Sequence, residues 1–348
     1  MLARLREEIA ANQGWTGFAR YMELVLYEPG LGYYARPAPK LGAKGDFVTA
    51  PELGSLFGRT LARQLRGLGG PILEFGAGSG ALAATLLSRH DCDYRIVEIS
   101  PHFRAQQRAR LGGRVQWLER LPERIRCVVI ANEVVDAMPV HAVAWRDEGI
   151  MERGVGLSDN HLVWSERPAE GELLEEANTL SVPVPYESEF GLVARAWMRE
   201  LAARLEEGVI FIVDYGFPRS EYYHPQRAGG TLMCHSRHRA HADVLAHPGE
   251  EDLTAHVDFS ALAGAAVDAG LEVLGYATQA QFLVNCGITE VLGEANVENA
   301  LHYAPLAAEA QRLLSPAEMG ELFKVLAVGR GVREPLLGFT RGDRSQTL

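Results

Sequence analysis

The stretch Pro71-Ile-Leu-Glu-Phe-Gly-Ala-Gly-Ser-Gly-Ala81 restricts what this chain can fold into more than any other part of it. Ile72 to Phe75 is a short apolar run that reads as a buried parallel strand, and Gly76, Gly78 and Gly80 break it in a tight turn. Ala81 to Leu87 then consists of good helix formers. Strand, glycine loop and helix in that order let a ligand touch backbone: no Cβ stands in the way, and the helix start offers unpaired N–H groups.

The glycine spacing suits two ligand classes. Gly76-x-Gly78-x-x-Ala81 fits the dinucleotide fingerprint with alanine in the last place. Glu74 leans the other way. It stands two residues before the first glycine, where a dinucleotide strand carries an apolar side chain and S-adenosylmethionine enzymes carry an acid. A carboxylate there suits a ligand bearing an ammonium and a sulfonium better than a pyrophosphate. Glu98 ends the next strand, Tyr94 to Glu98, where an acid accepts ribose hydroxyls in either class.

With 348 residues the chain can bury a full core, as one large domain with insertions or two smaller ones. Its formal net charge of −11 leaves no basic face for phosphates, which argues against nucleic acid and fits a basic partner. No apolar run approaches the ~20 residues that cross a bilayer. Met1 to Ala10 reads as a folded amphipathic helix rather than a leader, and Cys92, Cys127, Cys234 and Cys286 are scattered without a C-x-x-C pair. Both features lead to the expectation of a cytoplasmic protein without a zinc site. His235-x-x-His238-x-x-His241 invites a metal, but that spacing does not hold three ligands on one helical face, so no metal is expected.

Taken in order, residues 1–66 read as a helical and loop region covering the ligand site, and 67–139 as the first half of a doubly wound core. Its strands are expected at Ile72 to Phe75, Tyr94 to Glu98, Val115 to Leu118 and Cys127 to Ala131. Residues 140–200 read as an inserted mixed subdomain. The second half of the core, 201–330, holds strands at Gly208 to Asp214, Gly270 to Gly275 and Glu321 to Val328. It is interrupted by a long lid-like loop at 217–258 and a helical insertion at 280–318, and 331–348 reads as a loose tail.

Chemistry concentrates after the fourth strand, in Ala131-Asn-Glu-Val-Val-Asp-Ala-Met-Pro139. A helical turn starting at Glu133 would bring Glu133 and Asp136 to one side, beside Asn132. Such a pair can be a simple cap, or a carboxylate site for a cationic acceptor. Asp46, Thr49 and Glu52 lie on a glycine- and proline-punctuated loop ahead of a helix, and Asp258 precedes an alanine-rich one; read alone, these residues favour capping.

The ordered series Tyr27-Glu-Pro-Gly-Leu-Gly-Tyr-Tyr34, Gly45-Asp-Phe-Val-Thr-Ala-Pro-Glu52, Glu74-Phe-Gly-Ala-Gly-Ser-Gly80, Asn132-Glu-Val-Val-Asp-Ala-Met-Pro139, Asp214-Tyr-Gly216 and Asp252-Leu-Thr-Ala-His-Val-Asp-Phe259 resembles the MidA family of methyltransferases. The resemblance implies an α/β fold, the class I methyltransferase (Rossmann-like) seven-stranded sheet with an N-terminal helical region and an inserted subdomain. It implies S-adenosylmethionine as cofactor and a protein arginine as acceptor, on a complex I subunit in the mitochondrial branch. Carried over by position, Glu74, Gly76, Gly78, Gly80 and Glu98 would bind the cofactor, and Asp46, Thr49 and Glu52 would border it on the methyl side. Asn132, Glu133, Asp136, His256 and Asp258 would complete the pocket around the transferred methyl. Two other readings stay open: a small-molecule methyltransferase that uses 217–258 as a closing lid, and a non-catalytic cofactor-binding assembly factor for a respiratory complex.

Overall fold

The structure is a computed structural model that describes residues 1–36, 49–236, 239–296 and 298–348. Its central sheet contains β1 (Ile72–Phe75), β2 (Tyr94–Val97), β3 (Gln116–Trp117), β4 (Ile125–Asn132), β5 (Leu205–Phe217), β6 (Glu272–Thr278) and β7 (Phe323–Arg330). They run in the order β6-β7-β5-β4-β1-β2-β3, and the two-residue strand Val257–Asp258 pairs alongside β5. All neighbours are parallel except β7, which is antiparallel to both β5 and β6. This is the class I methyltransferase fold.

The strands are apolar at successive positions because the sheet is covered on both faces. Val128 and Ile130 of β4 and Phe211 of β5 pack with helices Leu56–Arg66, Ala81–Leu87 and Gln279–Asn285. Val129, Ala131, Ile210 and Ile212, one residue out of phase, pack with helices Leu192–Arg204 and Phe259–Asp268 on the other side. The strand order reverses direction between β1 and β4, so the loops after these two strands face a common crevice.

Between β4 and β5 the chain leaves the core to build an antiparallel sheet from His141–Arg146, Gly149–Ser158, His161–Pro168 and Tyr186–Phe190. Trp15–Gly17, from the N-terminal region, pairs with the second of these strands. Helix Phe18–Tyr27 packs its apolar face against this sheet, burying Phe18, Tyr21 and Met22 with Val155 and Ala142.

Two expectations need correction. Segment 217–258 is not a plain loop: Met233–Ser236, Arg239–His241 and Asp252–Thr254 form a small antiparallel sheet. Its strands have three or four residues, too few for a periodic pattern to stand out. The tail is not loose either. Phe339 is 8% exposed and lies edge-on to Phe282, with ring centres 5.3 Å apart. It fits because β6 has Gly275 at the contact, where a Cβ would come within 2.2 Å of the ring. Asp343 Oδ1 then accepts the Tyr276 amide at 3.0 Å and ties the tail to the edge strand. Among the described residues no helix is long and apolar enough to cross a membrane.

Candidate active site

The crevice beyond β1, β2 and β4 contains a cavity of about 420 Å³. Its floor is the glycine loop. Gly76, Gly78 and Gly80 have φ of +59°, +53° and +80°, a region that side chains rarely adopt. A Cβ on Gly76 would meet Val134 Cγ2 at 2.9 Å, so glycine is needed there for space as well as for conformation. Gly76 and Gly78 line the cavity; Gly80 does not, and serves instead as the left-handed residue that starts helix Ala81–Leu87.

The acids around the cavity are fixed by their neighbours. Glu98 Oε1 accepts the Ser100 amide at 2.9 Å and Oε2 accepts Gln107 Nε2 at 2.9 Å, which sets the carboxylate at the end of β2. Glu74 accepts the Tyr94 hydroxyl at 2.7 Å, and burial pushes its pKa up to about 7. Glu52 accepts a hydrogen bond from the Ser79 hydroxyl, and Arg110 Nη1 donates to that hydroxyl at 2.5 Å. Thr49 lines the cavity at the start of helix Ala50–Leu53, but its side chain makes no capping bond.

The turn after β4 is not the helical turn that the spacing suggested. Glu133 has φ of +53°, and Asp214 at the end of β5 takes the following amides. Asp214 Oδ2 accepts Val134 N at 3.3 Å, Val135 N at 2.9 Å and Asp136 N at 3.2 Å. This pulls the turn against the sheet and leaves Glu133 facing the cavity. Its Oε1 accepts the Ala50 amide and Asn132 Nδ2, each at 3.2 Å. Burial, then the charge of Asp136, pushes Glu133 up to about 8, and burial pushes Asp136 up to about 6.

Asn132 and Glu133 line the cavity, whereas Asp136, 7% exposed, sits behind them. Among the described residues, Asn132 Oδ1 and Asp136 Oδ1 are buried without a hydrogen-bond partner. Each is a defect unless a donor arrives from beyond the described residues. His256 and Asp258 are not among the lining residues. Asp258 caps helix Phe259–Asp268, Oδ1 accepting the Ala261 amide at 3.0 Å. The His256 ring lies edge-on to Tyr215 at 5.1 Å, with its pKa pushed down to about 4 by burial. Asp46 falls outside the described residues, as does His238 of the histidine series, and no group of three metal-binding side chains occurs among the described ones.

Several contributors were not singled out from the sequence. Tyr27 and Tyr34 line the cavity, their rings stacked 5.7 Å apart at 16°; the Tyr27 hydroxyl donates to Ala137 O at 2.6 Å and the Tyr34 hydroxyl to Asp252 Oδ1 at 2.8 Å. The aromatic cluster at 27–34 was the available signal; its distant partners were not. Asp214 likewise was marked by its strand end and by its place in the resemblance series, with no role assigned to it.

Among the described residues the lining includes Glu52, Glu74, Glu98 and Glu133 and no lysine, arginine or histidine. Such a cavity repels a pyrophosphate and fits a cationic ligand, which resolves the ambiguity of the glycine spacing. The chain's residues 56–277 match the model of a family of S-adenosyl-L-methionine-dependent methyltransferases. A mitochondrial protein arginine methyltransferase NDUFAF7 homolog of Drosophila melanogaster is 30% identical, over 97% of this chain and 88% of its own length. The human protein arginine methyltransferase NDUFAF7, also mitochondrial, is 27% identical over 94% of this chain and 83% of its own. A Burkholderia thailandensis protein crystallised with S-adenosyl-homocysteine is 49% identical and superposes with a TM-score of 0.96, covering 100% of this chain and 96% of that one.

Proposed function

Since the chain belongs to this family of S-adenosyl-L-methionine-dependent methyltransferases, we propose that its acceptor is an arginine guanidinium on a protein partner. The observation that carries this reading is the pair of acids after β4, Glu133 lining the cavity and Asp136 buried behind it, with the acceptor atoms Asn132 Oδ1 and Asp136 Oδ1 unmatched among the described residues. A guanidinium brings five N–H donors in a plane and no acceptor, the complement of that set. The names of the Drosophila and human relatives support the same acceptor.

The cofactor supplies a methyl group on a cationic sulfur. In this reading the backbone at Gly76 and Gly78 approaches it closely, Glu98 takes ribose hydroxyls and Glu74 faces its charge. Glu133 and Asp136 hold the guanidinium, localise its charge and accept the proton it must lose, since it stays protonated up to a pKa above ~12. Alignment of the acceptor nitrogen contributes ~7–11 kcal/mol to such a reaction, more than the ~10²–10⁴-fold of acid–base help, so positioning by these carboxylates is their larger role.

The test is mass spectrometry of arginine methylation in cells with the protein, without it, and with Glu133→Gln. A methylarginine that disappears in the second and third cases is the expected result. Identical arginine methylation in all three would sink the reading and direct the search to low-mass acceptors.

A further inference from the structure

The aromatic pair Tyr27 and Tyr34 has no part in the chemistry described so far. Both hydroxyls are already committed, one to Ala137 O and the other to Asp252 Oδ1. What the pair adds to the cavity is therefore ring surface. That surface is held rigidly: the two rings stack on each other, and the backbone of Tyr34 is pinned by the Ser100 hydroxyl, which donates to its carbonyl at 2.7 Å. Ser100 stands two residues after Glu98, and Ala137 follows Asp136, so the pair bridges the two acidic ends of the cavity.

We propose that Tyr27 and Tyr34 form a charge-reading wall, whose ring faces select a poorly hydrated cation over its neutral counterpart. Electron-rich faces attract such cations. The surrounding acids, Glu52, Glu74, Glu98 and Glu133 on the cavity wall and Asp136 and Asp252 behind it, strengthen that preference, and no lysine, arginine or histidine is among the described lining residues. Two cations share this chemistry: the sulfonium of the donor, whose product S-adenosylhomocysteine is neutral at sulfur, and the guanidinium of the acceptor. The first source would make the wall a device for preferring fresh donor over spent product. The second rests on the arginine reading above.

The experiment compares the wild-type chain with Tyr27→Phe, Tyr34→Phe, Tyr27→Leu and Tyr34→Leu. Calorimetry gives the ratio of affinities for S-adenosylmethionine and S-adenosylhomocysteine, and competition gives the ratio for an arginine peptide and its citrulline analogue. The phenylalanine variants keep the rings and should keep both ratios. The leucine variants should lower one ratio by about 3- to 30-fold, the range of a cation–ring contact. A fall in the donor ratio, with S-adenosylhomocysteine affinity preserved as evidence of folding, assigns the sulfonium; a fall only in the peptide ratio assigns the guanidinium. Both ratios unchanged, or donor and product weakened equally, overturns the proposal and leaves the rings as packing. The donor ratio is measured without any acceptor, so it stands whether or not the arginine reading survives.

Discussion

Asp214 Oδ2 accepts the Val135 amide at 2.9 Å, and through this bond the end of β5 shapes the turn that carries Glu133. The same oxygen takes the Val134 and Asp136 amides, while Oδ1 takes the amide of Tyr215 at 2.9 Å. Asp214 is fully buried, and burial raises its pKa well above the usual carboxylate range. Asp214→Ala should leave these amides unpaired and cost on the order of 3 kcal/mol of stability, read from urea unfolding. Methyl transfer should fall further than the loss of folded protein explains, because the turn itself relaxes.

Glu133→Gln keeps the shape and the contact to the Ala50 amide but removes the group that can ionise and accept a proton. Turnover should drop by ~10²–10⁴-fold. Affinity for S-adenosylmethionine should change by less than about 3-fold, well under one tenfold step of 1.4 kcal/mol. A calorimetric affinity loss as large as the loss in turnover would place Glu133 on the cofactor instead.

The raised acids make a prediction about pH. Glu133, Glu74 and Asp136 titrate near 8, 7 and 6 in the folded chain, above their ordinary values of 4.5, 4.5 and 3.8. Between the ordinary and the raised values the folded state binds more protons than the unfolded one, so stability falls as pH rises through that window. The melting temperature of the ligand-free protein should therefore be lower near pH ~8 than near pH ~5, and Glu133→Gln should flatten the upper part of this fall. A wild-type slope unchanged in the variant would remove Glu133 from the account.

Gly76→Ala adds a Cβ 2.9 Å from Val134 Cγ2 at a φ of +59°. Backbone strain alone costs on the order of 1–3 kcal/mol. The displaced loop should weaken S-adenosylmethionine binding at least tenfold, a change of about 1.4 kcal/mol.

Phe339→Ala tests whether the tail belongs to the core. The ring sits against Phe282 over Gly275, and its loss should cost ~3–5 kcal/mol, as for other buried aromatic truncations. A melting temperature equal to wild type would return the tail to the surface.

The sheet was legible because its strands are continuous apolar runs, and expected and observed bounds differ mostly at the ends: Cys127 to Ala131 within Ile125–Asn132, Gly208 to Asp214 within Leu205–Phe217. The glycine loop, Glu74 and Glu98 were legible because their spacing is local. The turn at Glu133 was misread because its shape is imposed by Asp214, about eighty residues away, which no local pattern reports. Tyr34 meeting Asp252 is the same case at 218 residues' separation. At Asp258 the plain local reading, a helix cap through Oδ1, is what the structure shows, and the residue is not among those that line the cavity.

The inserted sheet leaves and rejoins the core beside the cavity, where Pro139 before it and Val193 after it both line the wall. Asn132 at the end of β4 lies in register with Val213 of the returning strand, and the Glu133 amide bonds Val213 O at 2.8 Å. A segment whose ends are both held by the core gains entropic cost only slowly with length, ~0.6 kcal/mol for each doubling. Residues can thus be gained or lost at the turns between the strands of the inserted sheet while the seam that fixes Glu133 stays the same. The extent of the inserted sheet and the geometry of the turn at Glu133 are in this way set in separate parts of one chain.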